Sequence, residues 1–225
     1  MTTDAALRAA LQALLRFQTR VPVAGLPAYG VERLNAELGL FPEWCVRREF
    51  GRRWDTAEQA LWTRVAARLV ESAVAQAQVA VSGGWSVADG DAAFDGHGAV
   101  AGPVTCDLAA LLRDGGWPVD ENQELDLAVR WWDQARRAGL PVDPDFGECW
   151  RALEWMGLQR HLMLLGRACR ERHDTGAAAD PAFAVRLQTL LDAASRVALR
   201  YAPLKPLLHL LQPLRGSTVE AGYTF

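Results

Sequence analysis

Apolar residues recur at helical spacing along most of the chain. The first stripe holds four leucines at i, i+4 and i+7 spacing, namely Leu7, Leu11, Leu14 and Leu15. This spacing predicts an amphipathic helix, which a loop rich in proline and glycine ends before Val31. Further helices are predicted at about 31–50, with an irregularity at Phe41-Pro42, at 56–78 behind an Asp55 cap, and at 107–113, 121–138, 146–172 and 181–200.

The periodicity changes at Val79. Val79-Ala80-Val81 is typical of a short strand, Ser82-Gly83-Gly84-Trp85 of a glycine-rich turn, and the segment that ends at Phe94 of a second strand. The sequence therefore predicts a mainly α protein with one small β-hairpin.

Composition is that of an ordinary globular chain of 225 residues, with 50% hydrophobic residues, 23% charged residues and a net charge of −3. A chain of this length can bury a core as one domain. We predict a single domain over 1–225, with an N-terminal helix and loop at 1–30 and a C-terminal extension at 201–225. The near-neutral charge argues against nucleic-acid binding.

The sequence also argues against a membrane segment. The most apolar C-terminal run, 197–214, is interrupted by Arg200, Lys205, His209 and three prolines. Residues 1–18 carry Asp4, Arg8 and Arg16, so they lack the apolar stretch of a signal peptide. A cytoplasmic location is the expectation that follows.

Two candidate chemistries are disfavoured by residue placement. Lys205 is the only lysine in the sequence, whereas P-loop and protein-kinase enzymes hold nucleotide phosphates with a lysine near a glycine-rich segment. The four cysteines are widely spaced and include no Cys-x-x-Cys pair, which favours buried reduced thiols over a zinc site.

Asp145-Phe146-Gly147 spells a kinase metal motif, but Glu148 follows at capping-box spacing, which predicts a helix start.

Five separated segments carry a family resemblance, in the order LFPEW (40–44), GPVTCDLAALLRD (102–114), RRAGLPV (136–142), DFGE (145–148) and EWMGLQRHL (154–162). They resemble the aminoglycoside-phosphotransferase superfamily, and within it the bacterial anomeric kinases of N-acetylmuramate and N-acetylglucosamine that serve cell-wall recycling. The resemblance implies a two-lobed kinase-like fold, in which an N-terminal β-lobe clamps ATP and a helical lobe carries the catalytic residues. The chain matches the helical C-terminal lobe and is expected to lack the N-terminal β-lobe.

The resemblance also implies where catalytic groups belong, and three departures follow. The family places a catalytic aspartate at the end of a strand and an asparagine shortly after it. Here Gly84 stands at the catalytic-base position, and the asparagine falls in a deletion. Asp95 aligns with the first aspartate of the metal motif, whereas the second is replaced by Gly98. Because glycine accepts no proton, we predict no intrinsic kinase activity.

Other site residues are carried over from the same resemblance. Asp107 matches an aspartate that supports the catalytic-loop backbone; from the bare sequence it is an N-cap or first-turn acid. The residues that map to the family's sugar pocket are Glu43, Trp44, Trp155, Gln159 and Arg160. Trp155 and Gln159 share a helix face, but Trp155 is equally well explained as core and Arg160 as an ion-pair partner. Asp95 is interpreted either as a metal ligand or as a turn residue. His97 could join Asp95 and Cys106 around a transition metal, although nothing in their spacing requires it.

The leading hypothesis is a degenerate, non-catalytic kinase-like protein that binds an amino sugar or a protein partner. No cofactor is expected. The surface left by the missing lobe would be covered by residues 1–18 folding over it, by a partner chain or by a second copy of this chain in a homodimer. The alternative is a working phosphotransferase subunit that uses Mg and ATP, with its nucleotide lobe supplied by another chain. That alternative needs a replacement base, for which Asp89 and Asp91 are the candidates in the same loop. A gene product with no selected role is a third interpretation.

Overall fold

The computed structural model describes residues 3–88, 91–114, 120–177 and 180–215. The helices are α1 (Thr3–Arg20), α2 (Val31–Leu40), a π-helix (Phe41–Glu49), α3 (Thr56–Val74), α4 (Cys106–Arg113), α5 (Glu121–Arg137), α6 (Phe146–Thr175), α7 (Pro181–Arg200), a 3₁₀ turn (Ala202–Leu204) and α8 (Leu207–Arg215). The prediction of a mainly helical chain is confirmed. The irregularity expected at Phe41-Pro42 is the point where α2 becomes the π-helix.

Local side-chain hydrogen bonds fix where helices begin. Asp55 Oδ1 accepts from Glu58 N at 2.8 Å and Glu58 Oε2 accepts from Asp55 N at 2.9 Å, which is a complete capping box at the start of α3. Asp145 Oδ1 accepts from Glu148 N at 3.1 Å at the start of α6. Asp145-Phe146-Gly147 therefore begins a helix, as its spacing predicts, and does not follow a strand.

The strands pair differently from the prediction. β1 (Gln78–Val81) pairs antiparallel with β4 (Val100–Pro103), and β2 (Gly84–Ala88) pairs antiparallel with β3 (Asp91–Asp95). The hairpin predicted between Val79 and Phe94 around a turn at 82–85 is therefore wrong in its pairing. All three apolar residues of β1 are buried, and β4 offers them a buried apolar partner from a distant part of the sequence. Gly84 and Trp85 belong to β2, so the hairpin lies one strand further along.

The C-terminal helix α8 was not anticipated from the sequence, because prolines flank and interrupt it. Pro206 precedes its first residue, and Pro213 lies inside the helix, where its missing N–H removes one backbone hydrogen bond. Four leucines of α8 are buried: Leu207, Leu210, Leu211 and Leu214. The extension predicted at 201–225 thus contains a helix within its described part, and the domain bounds remain a prediction.

The chain divides into two compact units. In the first, Met1–Val31 and Ser72–Gly157, helix α1 packs against β1, β3, α4 and α5. Phe17 of α1 clusters with Ala80 and Ala99, and its ring centroid lies 6.1 Å from that of Phe94. The loop before α2 also contributes, since Tyr29 N donates to Ala101 O at 2.7 Å along the free edge of β4. These contacts hold the strands that carry the candidate catalytic loop.

In the second unit, Glu32–Glu71 and Leu158–Phe225, helix α7 packs against the 3₁₀ turn and α8. The C-terminal part of α6 runs beside α2 and the π-helix. Gly166 marks the closest approach, because a Cβ added there would lie 2.5 Å from the carbonyl oxygen of Leu40. Within the described ranges, no helix combines the length and apolarity that a bilayer crossing requires.

Candidate functional site

The candidate catalytic loop follows β1 and is fastened by Asp107. The backbone N–H of Ser82 donates to Asp107 Oδ2 at 2.9 Å across 25 residues of sequence. Asp107 is 5% exposed and lies in the first turn of α4, whose N-cap residue is Thr105. Of the two alternatives predicted from the bare sequence, Asp107 is therefore the first-turn acid and not the N-cap, and its carboxylate accepts a hydrogen bond from the loop.

The same junction is held from two further sides. Gln18 Nε2 of α1 donates to Val104 O at 3.1 Å, and Gln76 Oε1 accepts from Thr105 Oγ1 at 2.8 Å. Gln18 is 4% exposed and Thr105 is 1% exposed. One buried amide, of Gln18, and one half-buried amide, of Gln76, thus hold the start of α4, which fixes the position of Asp107.

Gly83 and Gly84 differ sharply in the space around them. A Cβ on Gly83 would collide with the carbonyl oxygen of His97 and lie 3.3 Å from Gly98 C, whereas a Cβ on Gly84 would meet no atom of the described residues within 4 Å. The backbone of the loop at 82–84 therefore packs directly on the turn at 96–98. Gly98 has a φ of 73°, a conformation that glycine adopts readily.

Gly84 and Asp95 are cross-strand partners in the β2–β3 pair. The two positions that the family resemblance assigns to the base and to a metal ligand are thus adjacent in the fold. The side chain of Asp95 is outside the described part. Among the described residues, no group of three or more histidine, cysteine, aspartate or glutamate side chains is placed to hold a metal ion.

The alternative bases lie at the other end of the same hairpin. Asp91 pairs with Ala88, four residues along β2 from Gly84, so the two backbone positions are about 13 Å apart at the rise of a β-strand. Asp89 lies outside the described residues. Asp91 is therefore too distant from Gly84 to replace a side chain there.

The predicted sugar-site residues fall in separate places. Glu43 and Trp44 lie in the π-helix, where Arg48 Cζ is 4.1 Å from the Trp44 ring centroid and Arg170 Cζ is 5.7 Å from it. Gln159 is fully buried and donates from Nε2 to Glu37 Oε2 at 3.0 Å. Gln159 and Arg170 are eleven residues apart on α6, a rise of about 16 Å. Trp44 and Gln159 therefore do not face one common point.

Trp155 and Arg160 are both half-buried on α6. They lie on either side of the boundary between the two compact units, with Trp155 in the first unit and Arg160 in the second.

An ion-pair network surrounds Trp44 that the sequence pattern did not reveal. Glu43 accepts from Arg47 and, at 2.9 Å, from Arg48, and hydrogen bonding from Arg48 and then Arg47 lowers the pKa of Glu43 below its ordinary value. Arg172 Nε donates to Glu49 Oε2 at 3.1 Å, and His173 Nε2 lies 3.2 Å from the same oxygen. Only the i, i+4 spacing of Glu43 and Arg47 is visible in the sequence; the pairs with α6 join residues far apart in the chain.

The cysteines are buried free thiols, as their spacing predicts. Cys45 and Cys169 are hydrogen-bonded to each other, and this bond together with burial raises the pKa of the Cys45 thiol well above its ordinary value. Burial raises the pKa of Cys149 to about 12. High pKa values keep a thiol protonated and unreactive, so these side chains act as apolar packing.

No known protein-family model matches the chain. It is 36% identical over 228 residues to the N-acetylmuramate/N-acetylglucosamine kinase of Neisseria meningitidis serogroup B, and the alignment covers 98% of the chain and 67% of that protein. Proteins of the same name from Pseudomonas putida and Pseudomonas aeruginosa are 38% and 36% identical, over 74% and 77% of the chain.

The chain spans about half the length of the two Pseudomonas relatives, 51% and 53%. The wider resemblance to aminoglycoside phosphotransferases stays a prediction. The Neisseria alignment, in contrast, covers almost the whole chain and two thirds of the relative at an identity well above chance, and on that ground the chain belongs to the N-acetylmuramate/N-acetylglucosamine kinase family.

Proposed function

We propose that this chain is a non-catalytic, kinase-derived protein whose present role is binding an amino sugar or a protein partner. The observation that carries the proposal is Gly84. It takes the position that the family resemblance assigns to the catalytic base, next to Asp95 across the β2–β3 pair. A glycine there offers no proton acceptor to a sugar hydroxyl.

The chemistry of phosphoryl transfer makes this loss severe. A positioned general base typically contributes about 10²–10⁴-fold in rate. Electrostatic stabilisation of the transferring phosphoryl group supplies most of the remainder, and the expected metal site has lost one of its two acids where Gly98 stands. The residues present therefore do not fit a bound magnesium–ATP complex.

The backbone around the lost group is nevertheless maintained. Asp107 holds Ser82, and Gly83 packs on His97, without any need for a side chain at position 84. This arrangement supports a chain that keeps its fold while its original chemistry is absent. A binding role needs only that fold.

Sugar binding is proposed for the second unit, at Glu43 and Trp44 of the π-helix. Glu43 and Trp44 carry a carboxylate and an indole, which suit hydroxyl groups and a sugar ring face. Because Arg48 covers the Trp44 ring, a bound sugar would have to displace that guanidinium. Gln159 is fully buried and bonded to Glu37, away from Trp44, so it takes no part in this proposed contact.

The first experiment is a transfer assay with labelled ATP, magnesium and either N-acetylglucosamine or N-acetylmuramate. The purified chain is expected to transfer no phosphate above the background of a heat-treated sample. Transfer that disappears in Asp95→Ala would contradict the proposal.

The second experiment is a thermal-shift titration with each sugar, in which a ligand that binds the folded state stabilises it by RT ln(1 + [L]/Kd). Stabilisation that Trp44→Ala abolishes would support the sugar site.

The alternative is a working phosphotransferase subunit completed by another polypeptide. The names of the relatives favour it, since all three are called kinases. It requires a base close to position 84, and the distance of about 13 Å to Asp91 along the strand argues against that residue. Stabilisation by magnesium–ATP without sugar would support this alternative, and stabilisation by sugar alone would support the binding protein.

A further inference from the structure

A small cleft lies in the second unit, between α3 and the loop that precedes α8. Its volume is about 240 Å³. Its apolar wall is formed by Leu61, Val65, Ala202, Pro203 and Pro206, and its remaining lining residues are Arg64 and Arg68. The cleft is distinct from Trp44 and its network, with which it shares no residue.

The charge around the cleft is positive and uncompensated. Arg64 and Arg68 are one helical turn apart and exposed, and neither forms an ion pair or side-chain hydrogen bond with any described residue. Lys205 lies between the lining residues Pro203 and Pro206, and within the described ranges it too has no acidic partner. Like charges at i, i+4 spacing destabilise a helix slightly, so an anion that binds both guanidinium groups removes a repulsion.

The nearest acids on the same helix do not neutralise this charge. Glu71 is three residues beyond Arg68, a spacing at which ion pairs commonly form, yet no such pair is present among the described residues. Glu58, at the other end of α3, is used in the capping box with Asp55. The two arginines therefore have five N–H donors each available to a ligand.

The dimensions and lining select the kind of ligand. A water molecule occupies about 30 Å³ in the liquid, so the cleft has room for roughly eight waters or one small organic group. Arginine forks bind planar carboxylates and phosphates in a bidentate manner. The apolar wall, which Pro203 and Pro206 make rigid, would contact the apolar part of the ligand.

We propose that this cleft binds a small organic oxyanion, with its carboxylate or phosphate between Arg64 and Arg68 and its apolar body against Val65 and the two prolines. The proposal does not depend on the absence of catalysis, because none of these residues belongs to the candidate catalytic loop.

The test is a calorimetric and thermal-shift titration of the full chain with benzoate, phenyl phosphate and inorganic phosphate. Both aromatic anions are expected to bind, and inorganic phosphate to bind more weakly. In the double variant R64Q/R68Q the affinity should fall by about tenfold or more, since two charge-assisted contacts are lost. Glutamine keeps the helix propensity of arginine nearly unchanged, so circular dichroism should show an intact fold.

Two controls make the result specific. Arg186→Gln removes an exposed arginine of α7 that lies outside the cleft, and its affinity should equal that of the unmodified chain. Ala202→Phe fills the cleft but keeps both guanidinium groups, and it should abolish binding of the aromatic anions. The proposal is overturned if no probe binds, if R64Q/R68Q and Arg186→Gln weaken binding equally, or if Ala202→Phe leaves it unchanged.

Discussion

Gly166 is the position where a single methyl group should have the largest effect on the second unit. It lies in the part of α6 that packs against the end of α2, and a Cβ built on it would be 2.5 Å from Leu40 O and 2.6 Å from Leu40 Cβ. Carbon atoms in contact are normally about 3.5–4.0 Å apart. The first of these atoms is backbone, so no rotamer change relieves the overlap and the two helices must separate.

The magnitude follows from two opposing terms. Overpacking of a well-packed site costs about 1–3 kcal/mol, and a backbone collision belongs at the upper end. Replacing a glycine inside a helix by alanine stabilises the helix by about 1 kcal/mol through helix propensity. Gly166→Ala should therefore lower the free energy of unfolding by about 2 kcal/mol, which corresponds to a Tm about 4–8 °C lower for a chain of this size.

Gly39→Ala is the matched control. Gly39 lies in α2, one residue before Leu40, and a Cβ there would meet nothing within 4 Å. The same substitution should therefore stabilise the chain by up to about 1 kcal/mol through helix propensity alone. Thermal and urea unfolding of both variants measure the difference. If the two substitutions change stability in the same direction, the close approach of Gly166 to Leu40 is wrong.

The remaining predictions concern the candidate loop, Glu43 and a cysteine. Gly83→Ala should destabilise the chain by about 1–3 kcal/mol in urea unfolding because of the collision with His97 O, whereas Gly84→Ala should be neutral or stabilising; equal losses would contradict the packing. Asp107→Ala should cost about 1–2 kcal/mol because it leaves the half-buried N–H of Ser82 without its acceptor; hydrogen exchange at Ser82 should accelerate, and unchanged exchange would refute the role. The pKa of Glu43 is lowered in the folded state, so its ionisation stabilises the fold above the unfolded-state pKa, and this contribution is lost as pH falls through the folded value. The stability difference between the unmodified chain and Glu43→Gln should therefore shrink in acid, and a difference that grows there would be inconsistent with the pair. Cys149, with a pKa raised to about 12, should resist maleimide at mildly alkaline pH in the folded chain and react after unfolding; rapid reaction of the folded chain would contradict its burial.

The helices could be predicted from sequence because their signals are local. The leucine stripe of α1 and the caps at Asp55 and Asp145 each act within one or two turns of their own element. Even the break after Leu40 has a local cause, the proline at the start of the π-helix.

The strand pairing could not be predicted in the same way, since it depends on residues far apart in the chain. β2 follows β1 closely in the sequence, but the strand that pairs with β1 is β4. A third segment, distant in the sequence, joins through the parallel bridge between Ala28 and Ala101. Which strand pairs with β1 depends on how completely the apolar side chains of both strands become buried, and the periodicity of the sequence does not encode this. α8 was missed for the opposite reason, because its prolines are strong local signals that burial of four leucines overrides.

Predicted site residues divide along the same line. The adjacency of Gly84 and Asp95 follows once the β2–β3 register is known, and the contact of Asp107 with Ser82 joins a helix start to a loop. Trp44 and Gln159 were grouped because both map to one family pocket, yet each is occupied by a different partner, Arg48 for the first and Glu37 for the second. The residue types are enough to identify candidate site residues. Which side chains they contact is visible only in the tertiary structure.

Under the proposal that the catalytic base is lost, the candidate loop offers a reason why the fold would persist without it. What holds the loop is a buried carboxylate bound to a backbone N–H and a glycine packed on a backbone carbonyl, and none of these contacts uses the side chain at position 84. A catalytic base, in contrast, must point into open space to reach its substrate, so it contributes little to packing. Because a Cβ on Gly84 would touch no atom of the described residues, the replacement of an acid by glycine there would leave these packing contacts unchanged. Selection for a stable fold therefore cannot preserve the base, and only selection for transfer itself would.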